Sequence, residues 1–150
     1  MKKSNDEVFL DSNFLISLQV TRHAFFARAG ELVMRFKEEE MRLSLIPLVI
    51  DEFWYIIKGY IKTDFPDDSK EAVMRKLNKA TRNVLSLDGL EITNASFARR
   101  DLLNTLEIMS KYDLRPRDAL IIKSMEILGV KNIATFDTDF DRVKGINVIK

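Results

Sequence analysis

The sequence predicts an α/β fold in which a mainly parallel sheet of about five strands is covered by helices on both faces. Five short apolar segments, bounded by turn-forming residues, are typical of buried strands. Longer segments with helical periodicity separate them, and these have the length that a crossover between parallel strands requires. The chain has no internal repeat, no low-complexity tract and no linker, which favours a single domain over residues 1–150.

The first half of the chain begins with the strand EVFLD, which ends at Asp11 and leads directly into the helix SNFLISLQ. A second helix is predicted over AFFARAGELVMRFKEEE, and RLSLI is the second strand. Pro47 suits the first position of a third helix, PLVIDEFWYIIKGYIK, which is apolar on most sides and therefore predicted to be largely buried. Trp54 and four phenylalanines of these helices are assigned to the core: Phe25, Phe26, Phe36 and Phe53.

The second half opens with the loop TDFPDDS and a helix from Lys70 to about Leu85. LEITNAS is the third strand, and Asn94 or Ser96 is predicted to cap the helix FARRDLLNTLEIMSKY. The next helix, within RPRDALIIKSMEILGV, has an apolar face and ends at Gly129. The strand NIATFD, a turn and the strand INVIK complete the pattern.

Composition excludes several classes of function. The chain has no cysteine and one histidine, His23, so thiolate metal sites, cysteine nucleophiles and chemistry that needs two histidines are excluded. No apolar run approaches the roughly 20 residues that span a bilayer, and the N-terminus turns acidic before any apolar segment, so a cytoplasmic location is expected. The 24 basic and 23 acidic residues nearly cancel, so binding to a polyanion requires a local patch.

Two aspartates follow predicted strands at their carboxyl ends. Asp11 ends the first strand and Asp137 ends the fourth. Ligands of open α/β sheets bind outside the carboxyl ends of the strands. If these two strands are neighbours, both carboxylates lie on the same rim of the sheet.

Each acid also has a structural interpretation. Asp11 suits the N-cap of the following helix, and Asp118 lies in a first helical turn, where the helix dipole favours acids and RPRD allows a simple salt bridge. Glu52 lies on an apolar stripe with Val49 and Ile56, where an unpaired carboxylate would be costly, so a metal ion or an arginine should compensate it. Asp51 is a rival that spacing alone leaves open.

The C-terminal motif IATFDTDFDRV carries three alternating acids, Asp137, Asp139 and Asp141. A calcium loop of the EF-hand type would need glycine and glutamate where Arg142 and Val148 stand. A phosphatase of the haloacid dehalogenase type would need threonine or valine in place of Asp141. A receiver domain would need a lysine after a late strand, and none is suitably placed.

Four motifs together resemble the PIN-domain family of nucleases. They are FLDSNFLI, LVIDEF, LRPRDALIIKSMEILGV and IATFDTDFDRV, in the family's order and at suitable intervals from residue 8 onward. The resemblance is greatest to the toxin components of VapBC toxin–antitoxin systems. It implies a three-layer α/β/α domain and a ribonuclease that uses Mg²⁺ or Mn²⁺. DSN stands where DTN is more frequent in the family, and the segment TDFPDDSKEAVMRK is long for its smallest members.

The resemblance also implies roles for individual residues. The catalytic acids carried over by position are Asp11, Glu52, Asp118 and Asp137, and Asp139 is a reserve metal ligand. We expect Asp11, Asp118 and Asp137 to hold the ion and Glu52 to position a water or a second ion. Residues implied to contact substrate are Asn13, Thr135, Arg115 and Arg117, while Lys123 is expected near the arginines and Asp141 is expected to serve only the turn.

The family resemblance further implies an RNA substrate, a small antitoxin in an apolar groove and a homodimer. The alternative is a PIN-like module that binds RNA or protein without cutting. The four acids favour the enzyme.

Overall fold

The computed structural model describes residues 6–150 and contains a five-stranded sheet in the predicted alternation with helices. The strands are β1 (Glu7–Leu10), β2 (Arg42–Leu45), β3 (Leu90–Ile92), β4 (Asn132–Ala134) and β5 (Asn147–Ile149). The helices are α1 (Ser12–Gln19), α2 (Phe26–Glu38), α3 (Pro47–Asp64), α4 (Lys70–Leu85), α5 (Arg99–Tyr112) and α6 (Pro116–Leu128). A 3₁₀ turn at Thr138–Arg142 precedes β5.

All four strand pairings are parallel, and the strand order is β3-β2-β1-β4-β5. The chain moves from β1 to β2 to β3 in one direction and then returns across the sheet to β4. Because such crossovers are almost always right-handed, α1 to α4 lie on one face and α5 and α6 on the other. This arrangement confirms the predicted three layers. It also makes β1 and β4 neighbours. After β1 the chain continues toward β2 on one side, and after β4 it continues toward β5 on the other side.

That junction is the topological switch point of the sheet. In open α/β sheets a crevice forms there, outside the carboxyl ends of the two strands. Phe9 pairs with Ile133 and Leu10 with Ala134, so both strands end at the same level. The backbone N–H of Asp11 donates to the carbonyl of Ala134 at 3.2 Å, which extends the pairing to the rim.

The core contains fewer aromatic side chains than the sequence predicted. Phe36 and Phe53 are buried, but Trp54, Phe25 and Phe26 are exposed, and the prediction of a largely buried α3 was wrong. Only one stripe of α3 is buried, at Val49, Phe53, Ile57 and Ile61. Trp54 lies off that stripe, where its indole N–H donates to the Thr81 hydroxyl of α4 at 2.9 Å.

Two predictions about helix ends had different outcomes. Gly129 ends α6 with a φ of 72°, a left-handed conformation that favours glycine, as predicted. The cap of α5 was predicted wrongly, because the helix begins beyond Asn94 and Ser96 with Ala98 as its N-cap. The carboxylate of Asp101 accepts a hydrogen bond from the Ala98 backbone N–H at 2.8 Å, so an acid inside the helix holds its start.

Within residues 6–150, no helix combines the length and the apolar character that crossing a membrane requires.

Candidate active site

Asp11 lies at the centre of the rim that the switch point creates. It follows β1 and is the N-cap of α1, and its side chain is 3% exposed. One carboxylate oxygen accepts a hydrogen bond from the Ser12 backbone N–H at 2.8 Å, and the other accepts from the Thr135 hydroxyl at 2.8 Å. The capping interpretation of Asp11 is therefore right, but it accounts for only part of the environment of this side chain.

The charge of Asp11 is costly in this position. Burial raises its pKa to about 7, against the lowering effect of the hydrogen bonds from Thr135 and Ser12, and the nearby carboxylates of Glu52 and Asp118 raise it further. Among residues 6–150 no cation lies within ion-pair distance of Asp11, since no salt bridge there includes it. A bound cation would provide the missing compensation.

Asp118 reaches the same rim from the first turn of α6 and is also buried. Its carboxylate accepts from Nε of Arg115 at 3.1 Å, so the simple salt bridge suggested by the sequence is present. Burial still raises the pKa of Asp118 despite Arg115, with additional repulsion from Asp137 and Glu52. The guanidinium therefore compensates this acid incompletely.

Asp137 and Asp139 complete a group of acids at the start of the 3₁₀ turn. Asp137 caps the turn by accepting from the Asp139 backbone N–H at 2.9 Å, and its own N–H donates to the Thr135 hydroxyl at 3.1 Å. One oxygen each from Asp118, Asp137 and Asp139 lies within 4.8 Å of the others. Carboxylate oxygens converging in this way are the ligands that Mg²⁺ and Mn²⁺ prefer. Asp139, expected as a reserve ligand, thus belongs to the convergent group.

Glu52 faces the rim from the second turn of α3. One of its oxygens accepts a hydrogen bond from the Ser12 hydroxyl at 2.7 Å, and the other pairs with Arg117 at 3.2 Å. Asp51 is exposed and pairs with the other guanidinium nitrogen of Arg117 at 3.1 Å. Helix geometry therefore turns Glu52 toward Asp11 and turns Asp51 toward solvent. The compensation that the sequence required for Glu52 comes from an arginine in this structure.

Arg115 and Arg117 lie over the acids. Besides Asp118, Arg115 contacts Asp137 at 3.3 Å, and the side chain is 68% exposed. Lys123, predicted to join these arginines, was wrongly placed: it is buried on the other side of α6 against Asn104, Asp101 and Glu126. Arg142 pairs with Asp139 at 2.8 Å, so three arginines provide the cationic charge next to the acids.

Asn13 and Thr135 hold the frame of the site. The side-chain oxygen of Asn13 accepts from the Phe136 backbone N–H at 3.0 Å, which fixes the segment that carries Asp137. Thr135, which was expected to contact substrate, is instead fully buried between Asp11 and Asp137, where its hydroxyl has no access to a substrate. Asp141 pairs with Lys150 at 2.5 Å, outside the convergent group.

Sequence reasoning missed two contributors to the site. Ser12 was noted only as part of the DSN motif, but its hydroxyl links α1 to Glu52. Phe25 stacks on Phe136 with ring centroids 4.3 Å apart, next to Asp137 in the chain. The DSN motif gave a signal for Ser12, whereas no local pattern pairs Phe25 with Phe136.

Comparison with known proteins identifies the family. The model of the PIN domain matches residues 8–146, almost the whole chain. The chain belongs to the PIN domain family. Two relatives of this PIN domain are ribonucleases from Methanocaldococcus jannaschii, VapC2 and VapC6. VapC2 is 27% identical, and the match covers 100% of this chain and 97% of VapC2. VapC6 is 24% identical, and the match covers 98% of this chain and 99% of VapC6.

Solved structures of low sequence identity share the fold of this PIN domain. Mycobacterium tuberculosis VapC20, a toxin that cleaves the sarcin-ricin loop, has a TM-score of 0.65 and 17% identity, covering 93% of this chain and 96% of its own. VapBC2 from Rickettsia felis, bound to a promoter DNA fragment, has a TM-score of 0.64 and 15% identity over 95% and 97%. A Klebsiella pneumoniae toxin–antitoxin complex has a TM-score of 0.57 and 19% identity over 95% and 96%.

The raised pKa of Asp11 predicts how the stability of the metal-free protein depends on pH. Its folded pKa of about 7 exceeds the ordinary value of 3.8 for an aspartate, so between these two pH values the folded state retains a proton that the unfolded chain has lost. The contribution of Asp11 to the free energy of unfolding therefore falls as pH rises from about 4 to 7. In EDTA at pH 8, Asp11→Asn should be more stable than wild type by about 2 to 4 kcal/mol.

This difference should shrink toward zero near pH 4, and urea denaturation at several pH values measures it. Asp141→Asn, at an exposed acid outside the group, is the matched control and should change stability by less than about 0.5 kcal/mol. A constant difference between wild type and Asp11→Asn from pH 4 to 8 would contradict the assigned burial cost.

The ion pairs of Arg115 predict competition with cations. Its guanidinium contacts two of the three convergent carboxylates, so a cation must compete with it for their oxygens. Arg115→Gln should bind Mn²⁺ about 3- to 10-fold more tightly than wild type by isothermal titration calorimetry. Arg117→Gln removes the same charge from a side chain that contacts Glu52 and Asp51 instead, and should have a smaller effect. Equal effects of both variants would indicate long-range charge alone.

Proposed function

We propose that this PIN domain, residues 1–150, is a metal-dependent endoribonuclease that hydrolyses RNA phosphodiester bonds and acts as the toxin of a toxin–antitoxin pair. Two relatives that match over nearly their whole length are named as VapC ribonucleases. The observation that carries the proposal is the convergence of Asp118, Asp137 and Asp139 within 4.8 Å, beside the uncompensated carboxylate of Asp11.

The donor set fits a hard divalent cation. Every candidate ligand is a carboxylate, and the site contains neither cysteine nor histidine, which suits Mg²⁺ or Mn²⁺ rather than a softer metal. The residues proposed to hold the ion are Asp11, Asp118 and Asp137, with Asp139 and Glu52 completing its surroundings. When bound, such an ion lowers the pKa of a water and neutralises charge that develops on the phosphate.

The other side chains act on the substrate and its nucleophile. Glu52, fixed by Ser12, orients the attacking water on the side of Asp11. Water adds to phosphorus as the bond to the leaving oxygen breaks. The water gives up one proton and the leaving oxygen takes up one from solvent, so that one proton passes in total from the water to the leaving group. Arg115 and Arg117 move from the acids to the phosphates that flank the cleaved bond. Asn13 and Thr135 keep the acids in position from beneath.

Substitution of a buried acid should separate activity from folding. Asp118→Asn keeps the size of the side chain and an oxygen that can accept a hydrogen bond from Arg115. It removes the negative charge of a proposed metal ligand. We expect at least a 100-fold loss of cleavage of a labelled single-stranded RNA in Mg²⁺ or Mn²⁺, with an unchanged circular dichroism spectrum. EDTA should abolish cleavage by wild type, and Asp141→Asn should cut normally.

Full ribonuclease activity of Asp118→Asn would contradict the proposed catalytic site. A folded wild type that binds Mn²⁺ at the acids but cuts none of a panel of total RNA, ribosomal RNA and transfer RNA would instead support the binding-module alternative. The two results are distinguishable because Asp118→Asn cleaves RNA in the first case, whereas wild type cleaves no RNA in the second.

Protein partners form the second part of the proposal. The neighbours from Rickettsia felis and Klebsiella pneumoniae are toxins in complex with antitoxins, and we propose a small inhibitory antitoxin for this chain. We also propose a homodimer through α5, because Leu102, Leu103 and Leu106 are each more than half exposed on that helix.

A double variant tests the dimer. Wild type should sediment as a dimer, and Leu103→Lys with Leu106→Lys should sediment as a folded monomer, because charged side chains cannot be buried unpaired in an apolar contact. Met34→Lys, at an exposed apolar residue of α2, is the control and should remain dimeric. A wild type that is monomeric at 100 µM would contradict the proposed dimer without affecting the nuclease.

A further inference from the structure

A cleft between α3 and α4 is lined by lysines and lies outside the acid site. Its volume is about 570 Å³, and the described residues around it include Lys58 and Lys62 of α3 and Lys70 of α4. Phe65, Val73 and Met74 form its apolar lining, and Phe65 and Met74 are about half exposed. The cleft therefore combines three cationic side chains with apolar surface.

Few acids line this cleft within residues 6–150. Asp68 is the one acid among the described residues that line it, and it already pairs with Lys76. Within residues 6–150, none of Lys58, Lys62 and Lys70 lies in a salt bridge, whereas Arg22, Lys76 and Arg117 each do. Asp67 and Glu71 lie close to Lys70 in the chain, so in the described part of the protein the cleft presents lysines without an ion-pair partner rather than a surface free of acids.

The cleft is connected to the acid site along one helix. On α3, Asp51, Tyr55, Lys58 and Lys62 recur at intervals of four, three and four residues and therefore share a face. The face begins beside Glu52 at the rim, and Lys62 lies about 15 Å from that level along the helix axis. Tyr55, which is 80% exposed, lies between the acids and the lysines.

We propose that this cleft binds the single-stranded RNA that flanks the cleaved bond, with Lys58, Lys62 and Lys70 on its phosphates and Tyr55 and Phe65 against its bases. The proposal rests on the ribonuclease function proposed above. RNA suits the surface better than an acidic peptide does, because the cations alternate with exposed rings and apolar surface on which bases stack. The cleft would thus act as a positioning site for long substrates.

The experiment measures binding and cleavage separately. The variant is Lys58→Gln, Lys62→Gln and Lys70→Gln combined, and the probe is a fluorescein-labelled 20-nucleotide oligo(U) in EDTA, followed by fluorescence anisotropy. The matched control carries the same charge change at Lys111, Lys131 and Lys144, three exposed lysines on other elements. Wild-type affinity should fall about 10-fold or more in the cleft variant, and the salt dependence of log K should decrease by about 2.

Several outcomes would overturn the proposal. They are equal loss in the cleft and control variants, absence of oligo(U) binding by wild type, and equally tight, cleft-dependent binding of a labelled polyglutamate. The last result would assign the cleft to an acidic protein segment. An unchanged affinity of the cleft variant for oligo(U) would also reject it.

Cleavage assays distinguish failure of this proposal from failure of the ribonuclease function. With total RNA and Mn²⁺, the cleft variant should lose cutting mainly through a higher KM and should keep the Mn²⁺ affinity of wild type by calorimetry. If wild type cuts RNA and the cleft variant cuts with unchanged KM, only the cleft proposal fails. If wild type cuts no RNA but binds oligo(U) through the cleft, the ribonuclease function fails and the cleft assignment stands.

Discussion

The carboxylate of Asp11 imposes the main constraint on this structure. It is buried where two parallel strands end, and its burial raises its pKa to about 7 in the absence of a cation. The hydrogen bonds from Ser12 and Thr135 fix its two oxygens without supplying charge. Keeping an ionised acid in such a position lowers the stability of the folded protein, and under the proposed function a divalent cation at that rim would offset this cost.

The rest of the rim is organised around the same imbalance. The reversal of the chain between β1 and β4 brings α1, α6 and the 3₁₀ turn together, so acids distant in sequence converge. Arg115 and Arg117 neutralise part of that charge while remaining accessible to solvent. The guanidinium ends of these ion pairs are accessible to solvent, whereas the carboxylates of Asp118 and Glu52 are mostly buried. Under the proposed function, the arginines would leave the acids for phosphates when a cation and RNA bind, which would link binding of the ion to binding of the substrate.

Much of the fold followed from patterns that are local. Strand and helix alternation, Pro47 at a helix start and Gly129 at a helix end depend on neighbouring residues, and each prediction was confirmed. Burial of individual aromatics was predicted less well. Trp54 and Phe25 are exposed because tertiary packing, rather than residue type, decides which side of a helix faces the core. The cap of α5 was missed because Asp101 acts from inside the helix.

The candidate site was predictable as a set of acids but not as a network. Strand-end positions indicated Asp11 and Asp137, and family resemblance added Glu52 and Asp118. The choice of Arg117 as partner of Glu52, the burial of Lys123 away from the arginines and the nearness of Asp139 to Asp118 depend on the orientation of α6. No spacing rule along the chain encodes that orientation.

We propose above that the acids at the β1 and β4 ends hold a divalent cation, which must displace Arg115. A crystal structure of the protein soaked in Mn²⁺, with anomalous scattering recorded at the manganese edge, tests it most directly. We expect one strong anomalous peak coordinated by Asp118 and Asp137, with the Arg115 guanidinium moved away from both carboxylates. Well-ordered crystals with Arg115 still paired to these acids and no peak at the rim, even at millimolar Mn²⁺, would contradict it.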